Sequence, residues 1–221
     1  MRSILTIIFI LYVSFVYMEF NNIKITMPLE SLKYIGILLC FLISLTIEGK
    51  GLNARDTRLL QIGMFFTVIA DLFLVILDYY FLGVLAFCIV QLIYIKRYTE
   101  DRFSSIFKKS IISLMSIFIV YFIIRRFIVD LDIIFPLAIF YSICLFISII
   151  KTIDAMEKNI YPYPNKLMII GGMILFTLGD INVGLSYLGI NYDLSTNLIW
   201  VFYFPSQILL SLSGYNYKNK F

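Results

Sequence analysis

Asp71 and Asp180 are the residues whose type and position in this chain could do chemistry. Each lies deep in a long apolar run, Asp71 thirteen residues beyond Arg58 and Asp180 fourteen beyond Lys166. If both runs are helices, a rise of about 1.5 Å per residue places the two carboxyls roughly 20 Å from the basic ends of their segments. An ionisable group at such a depth in hydrocarbon is costly unless paired or solvated, and its default reading is functional. Two carboxyls in one desolvated site can divide their protonation states, one serving as general acid and the other as general base. Such a pair suits acid-assisted addition of water to a substrate already dissolved in the bilayer. Hydrolysis of a lipid bond and intramembrane aspartyl proteolysis both fit. The alternative is a pair of structural groups bonded to Gln, Tyr or Asn across the bundle. It accounts for one buried aspartate more readily than for two at matching depth.

The chain has no histidine. The usual catalytic base, the commonest metal ligand and every Ser-His or Cys-His arrangement are therefore excluded. Cys40, Cys88 and Cys144 sit on three different apolar segments with no CxxC spacing, and read as small buried hydrophobes. No metal and no cofactor is expected.

The elements that position these carboxyls are set by composition. Of 221 residues 61% are hydrophobic and 14% charged, with a mean hydropathy of +0.94. A soluble chain is roughly 45–50% apolar and about a quarter charged, so the solvent for this chain is lipid. Eight apolar stretches predict an all-α, single-domain polytopic membrane protein: 3–20, 32–47, 58–77, 81–96, 108–124, 131–150, 166–188 and 195–213. The second, fourth and fifth are short and should extend into their flanks. The first lacks a small-residue cleavage site before Glu19 and reads as a spanning helix rather than a signal peptide. Pro136 and Pro205 fall inside the sixth and eighth, where kinks are expected.

The formal charge of +4 does not point to nucleic acid, because the basic residues flank the apolar runs. With alternate loops on alternate sides, one side carries fourteen: Arg2, Lys50, Arg55, Arg58, Lys96, Arg97, Arg102, Lys108, Lys109, Lys151, Lys158, Lys166, Lys218 and Lys220. The other has Lys24, Lys33, Arg125 and Arg126. The positive-inside rule then places both termini in the cytoplasm, and the expected location is the plasma membrane of a bacterium.

A weak internal repeat links the two aspartates. Gly63-Met64-Phe65-Phe66-Thr67-Val68-Ile69-Ala70-Asp71 aligns without gaps to Gly172-Met173-Ile174-Leu175-Phe176-Thr177-Leu178-Gly179-Asp180. The following helices echo one another more loosely, Phe87-Cys88-Ile89-Val90-Gln91 against Tyr203-Phe204-Pro205-Ser206-Gln207. This reads as a parallel duplication of a helix pair, helices 3–4 and 7–8. Gln207, eleven residues before Lys218, lies about 16 Å deep and is by depth the better partner for the aspartates; Gln91 lies only about 8 Å from its basic end. Tyr94 and Tyr203 are candidate phenol donors, and Asp78 reads as interfacial.

In that order, Gly63 to Asp71, the Phe87, Gln91 and Tyr94 segment, Gly172 to Asp180 and Tyr203 to Gln207 resemble the YhhN family. That family includes the lysoplasmalogenases, and its members have eight helices. Lys33 falls where the family usually has Lys-Pro. The resemblance covers about 30–213 and implies hydrolysis of the vinyl ether of a lysoplasmalogen to a fatty aldehyde and a glycerophospho-headgroup. Asp71 and Asp180 would be acid and base, with Lys33, Gln91, Tyr94, Tyr203 and Gln207 binding substrate or supporting them. The partners implied are a lysophospholipid and the bilayer. Three positions depart from the family: Tyr34 after the lysine, Ala70 before the first aspartate, and Gln91 where many members have histidine. Gln91 cannot transfer protons.

Two rivals use the same carboxylates. An intramembrane aspartyl protease would fit Gly179-Asp180, but Thr177 stands where its first glycine would be and no Pro-Ala-Leu follows. A small transporter or lipid-binding protein could use the aspartates to hold a proton or cation.

Overall fold

The computed structural model describes residues 2–21, 23, 28–127 and 132–217. Lys24, Lys218 and Lys220, counted above for orientation, lie outside the described residues. The described residues form eight helices: α1 Arg2–Phe20, α2 Leu29–Leu45, α3 Ala54–Asp71, α4 Tyr80–Arg97, α5 Phe103–Phe127, α6 Ile134–Glu157, α7 Asn165–Tyr187 and α8 Tyr192–Leu212. With the π-helical turn Leu72–Ile76 that continues α3, six of them are long and apolar enough to cross a membrane among the described residues. The exceptions are α2, at 17 residues, and α8, diluted by Asp193, Ser195, Thr196, Asn197, Ser206 and Gln207.

Every helix satisfies its own backbone hydrogen bonds, which is why hydrocarbon selects this architecture. Start signals are local. Asn53 caps α3 by accepting from the Asp56 N–H at 2.8 Å, and Lys96 and Arg97 close α4, where cations favour the helix dipole. The sixth stretch is longer than its apolar run, reaching Glu157. Pro136 does not lie in a helix interior as expected. It is the third residue of α6, within the first turn, where a missing N–H leaves no bond broken. Pro205 is inside α8.

Six helices pack in a closed ring, in the order α3, α4, α6, α7, α8, α2 and back to α3, while α1 lies outside against α2 and α8 and α5 lies outside against α6 and α4. The tight contacts depend on glycine. A Cβ on Gly36 of α2 would fall 2.2 Å from the Phe204 ring of α8, and one on Gly179 of α7 would fall 3.2 Å from the Tyr203 Cβ. The main core fills the ring, and a smaller cluster of Cys88, Leu137, Phe140 and Cys144 joins α4 to α6. All three cysteines are free and buried.

The basic end of the ring is locked by a buried polar clasp. Arg97 donates from Nε and Nη2 to the two carboxylate oxygens of Asp56 at 2.8 and 3.0 Å, and from Nη1 to Ser213 Oγ at 3.0 Å. The Tyr161 hydroxyl donates to Asp56 Oδ1 at 2.8 Å, and Asn165 donates to the carbonyls of Ser213 and Tyr215. Burial pushes the Tyr161 phenol well above its ordinary range, against the nearby Arg97 guanidinium. Arg97, counted from sequence among the basic residues that flank the apolar runs, is 4% exposed. A short bridge between Gly51 and Tyr215 ties the chain's end to the α2–α3 loop.

Candidate functional site

Asp71 is the last residue of α3, where the α-helix gives way to the π-helical turn Leu72–Ile76. Turns of this kind recur at functional sites because the extra residue re-aims a side chain. The aspartate is 2% exposed, and the Tyr203 hydroxyl on α8 donates to its Oδ2 at 2.6 Å. Asp180 lies within α7 and accepts at Oδ2 from the Tyr141 hydroxyl of α6. Unlike Asp71, it is only half-buried. The phenols that bond the two carboxyls pack on one ring, Phe87 of α4, so the ring of helices brings both sequence-identified aspartates into one region.

Between the two phenols sits Phe87 of α4. Its ring lies 6.1 Å from that of Tyr141, 6.2 Å from Tyr203 and 5.8 Å from Phe176. Phe176 and Trp200 pack edge-on to Tyr203 at 5.6 and 5.4 Å. The result is an apolar aromatic wall flanked by two polar groups, each an Asp–Tyr pair from different helices.

The other expected site residues are distributed as follows. Lys33 forms an ion pair with Glu19 at 2.5 Å and stands 5.2 Å above the Trp200 ring, which links it to Tyr203 through one aromatic contact. Gln91 is fully buried and accepts from Ser148 Oγ at 2.7 Å; its amide lies beside the Tyr141 phenol. Gln207 is buried one turn beyond Tyr203 and bonds Ser206 at 3.4 Å, not either aspartate; its Oε1 has no hydrogen-bond partner. Tyr94 is buried toward the basic end, with its hydroxyl on Met64 Sδ at 3.7 Å and its ring stacked on Tyr98. The structure thus joins Tyr203 to Asp71 and keeps Tyr94 and Gln207 apart from the carboxyls. Asp78 is exposed in the α3–α4 connection.

Tyr141 was not singled out from the sequence. Its signal was available as a polar stripe on α6, where Tyr141, Ser148 and Thr152 recur at spacings of seven and four that share one helix face. Among the described residues no three His, Cys, Asp or Glu side chains converge as a metal site would require.

Fold and site together define a polytopic membrane protein with paired intramembrane carboxyls. The YhhN family model matches residues 31–214, and the chain belongs to that family. No curated protein and no solved structure matches it.

Proposed function

We propose that this protein is a membrane hydrolase of the lysoplasmalogenase type, cleaving the vinyl ether of a lysoplasmalogen with Asp71 and Asp180 as its acid and base. The observation that carries the reading is the pairing of two interior carboxyls, each held by a phenol, around one aromatic wall in a member of the YhhN family. The partial exposure of Asp180 and Tyr141 supports a route from the bilayer to the pair.

The chemistry asks for few parts. A carboxylic acid protonates the β-carbon of the enol ether, the alkene carbon remote from oxygen, moving the double-bond electrons and leaving an oxocarbenium ion. The ionised partner stabilises that cation and takes a proton from the water that adds to it. In the collapse of the resulting hemiacetal the second carboxyl gives its proton to the departing glycerol oxygen and the first takes the hemiacetal hydroxyl proton, releasing a fatty aldehyde and the free hydroxyl of the glycerophospho-headgroup. Water supplies the atoms and both carboxyls return to their starting states. Both termini are assigned to the cytoplasm of a bacterial cell, by the distribution of Lys and Arg.

The test is aldehyde release from lysoplasmenylethanolamine by protein purified in detergent, beside an ester lysolipid. Activity on the vinyl ether that falls by about 10²–10⁴ in Asp71→Asn and in Asp180→Asn supports the reading. Equal activity in both variants and wild type would sink it.

A further inference from the structure

Asp71 and Asp180 take their phenols from unmatched places in the fold. Tyr203 reaches Asp71 from α8. In the internal repeat Phe87 of α4 stands where Tyr203 stands in α8, so the matching partner of Asp180 would be Phe87, which has no hydroxyl. Tyr141 of α6 supplies one instead. Its ring packs 6.1 Å from Phe87, and its hydroxyl bonds Asp180.

A second layer lies behind that phenol. Gln91 follows Phe87 by one turn of α4, its Oε1 held by Ser148 of α6. Its amide nitrogen is buried and makes no hydrogen bond of normal geometry, while its side chain lies alongside the Tyr141 oxygen. A buried amide donor without an acceptor is costly, and the Tyr141 oxygen is the acceptor at hand. The order is then Ser148 to Gln91 to Tyr141 to Asp180, with Ser148 donating to the Gln91 oxygen, the Gln91 amide beside the phenol, and the phenol donating to the carboxyl.

We propose that Tyr141, braced by Gln91 and Ser148, is the positioning residue that orients Asp180 for its part in the reaction. This rests on the hydrolase reading for its catalytic consequence, but the Tyr141–Asp180 coupling itself is measurable without substrate. The phenol need not exchange its proton; it fixes which carboxylate oxygen faces the substrate.

The experiment is Tyr141→Phe in the full-length protein, read three ways. Elution and thermal unfolding in detergent report folding. Aldehyde release against pH reports the reaction. Infrared titration of the carboxyl bands, with Asp180→Asn identifying the Asp180 band, reports the carboxyl directly. The expected result is a folded variant with kcat reduced at least about tenfold and KM little changed, and a displacement of roughly one pH unit, tenfold in proton affinity, in both the pH profile and the Asp180 band. A folded Tyr141→Phe protein with the wild-type band titration overturns the proposal. A displaced band in a protein whose wild type releases no aldehyde upholds the coupling and rejects the hydrolase reading. Should Tyr141→Phe fail to fold, Gln91→Leu provides the same readout: displacement of the Asp180 band supports the proposal, and an unmoved band overturns it.

Discussion

The Tyr203 hydroxyl crosses from α8 to donate to Asp71 Oδ2 at 2.6 Å, with both groups buried. A hydrogen bond to a charged group is worth about 1.5–3 kcal/mol, or roughly 10–100-fold in a rate that depends on it. Tyr203→Phe keeps the ring and its packing against Trp200 and Phe176, so the loss should fall on the carboxyl alone. Aldehyde release should drop by about that factor, and the same change in an Asp71→Asn background should remove nothing further. A full additional loss in the double variant would mean that Tyr203 acts elsewhere.

Gly179 sets the distance between α7, which carries Asp180, and α8, which carries Tyr203. A Cβ there would lie 3.2 Å from Tyr203 Cβ and 3.4 Å from its Cα and backbone nitrogen, so α8 must shift to admit it. Small residues at such crossings let membrane helices approach. Gly179→Ala should lower activity moderately, and Gly179→Leu should abolish it while costing about 1–3 kcal/mol of stability. Melting and activity measured on the same samples check this. Activity retained in the leucine variant would show that the α7–α8 spacing is not what aims Tyr203.

Much of this was legible in the sequence, because lipid leaves the chain few choices. Continuous apolar runs had to be helices, and an aspartate inside one had to be held by something. Depth along a helix follows from counting residues, which is how Asp71 and Asp180 were paired; Tyr203 stood beside Tyr94 as a candidate phenol donor. Rotation about the helix axis does not follow from depth. Gln207 has the right depth and sits one turn from Tyr203, yet it bonds Ser206. Tyr141 escaped notice among 16 tyrosines, since a phenol in an apolar run also reads as packing until its neighbours on other helices are known. Arg97 counted only as one more basic residue at the end of an apolar run, because its partner, Asp56, is 41 residues away.

That Arg97–Asp56 pair gives a prediction separate from catalysis. Both side chains are buried, and Tyr161 and Ser213 complete the network. Removing one member of a buried pair leaves a charge without compensation, at about 3–5 kcal/mol, whereas replacing both by apolar groups is often neutral. Arg97→Met should therefore melt well below wild type in detergent. The double variant Asp56→Leu with Arg97→Met should recover most of that difference. A double variant as unstable as the single one would show that the clasp depends on its hydrogen bonds to Tyr161 and Ser213 rather than on charge balance.

Orientation in the membrane can be read with cysteines placed at the two ends of the bundle. The native Cys40, Cys88 and Cys144 are all buried, so a new exposed cysteine is the main target for a membrane-impermeant maleimide. Tyr79 and Tyr192 lie exposed at the end of the ring nearer the carboxyls, and Glu100 and Asn159 at the basic end. The proposed orientation puts the basic end, with its excess of Lys and Arg, in the cytoplasm. In intact cells Tyr79→Cys and Tyr192→Cys should therefore label, while Glu100→Cys and Asn159→Cys should label only after permeabilisation. The opposite pattern would invert the orientation, placing both termini outside and the carboxyl pair nearer the cytoplasmic leaflet. The leaflet from which a lipid reaches Asp180 would be reversed with it, so this labelling also fixes the side on which substrate must be supplied in reconstituted vesicles.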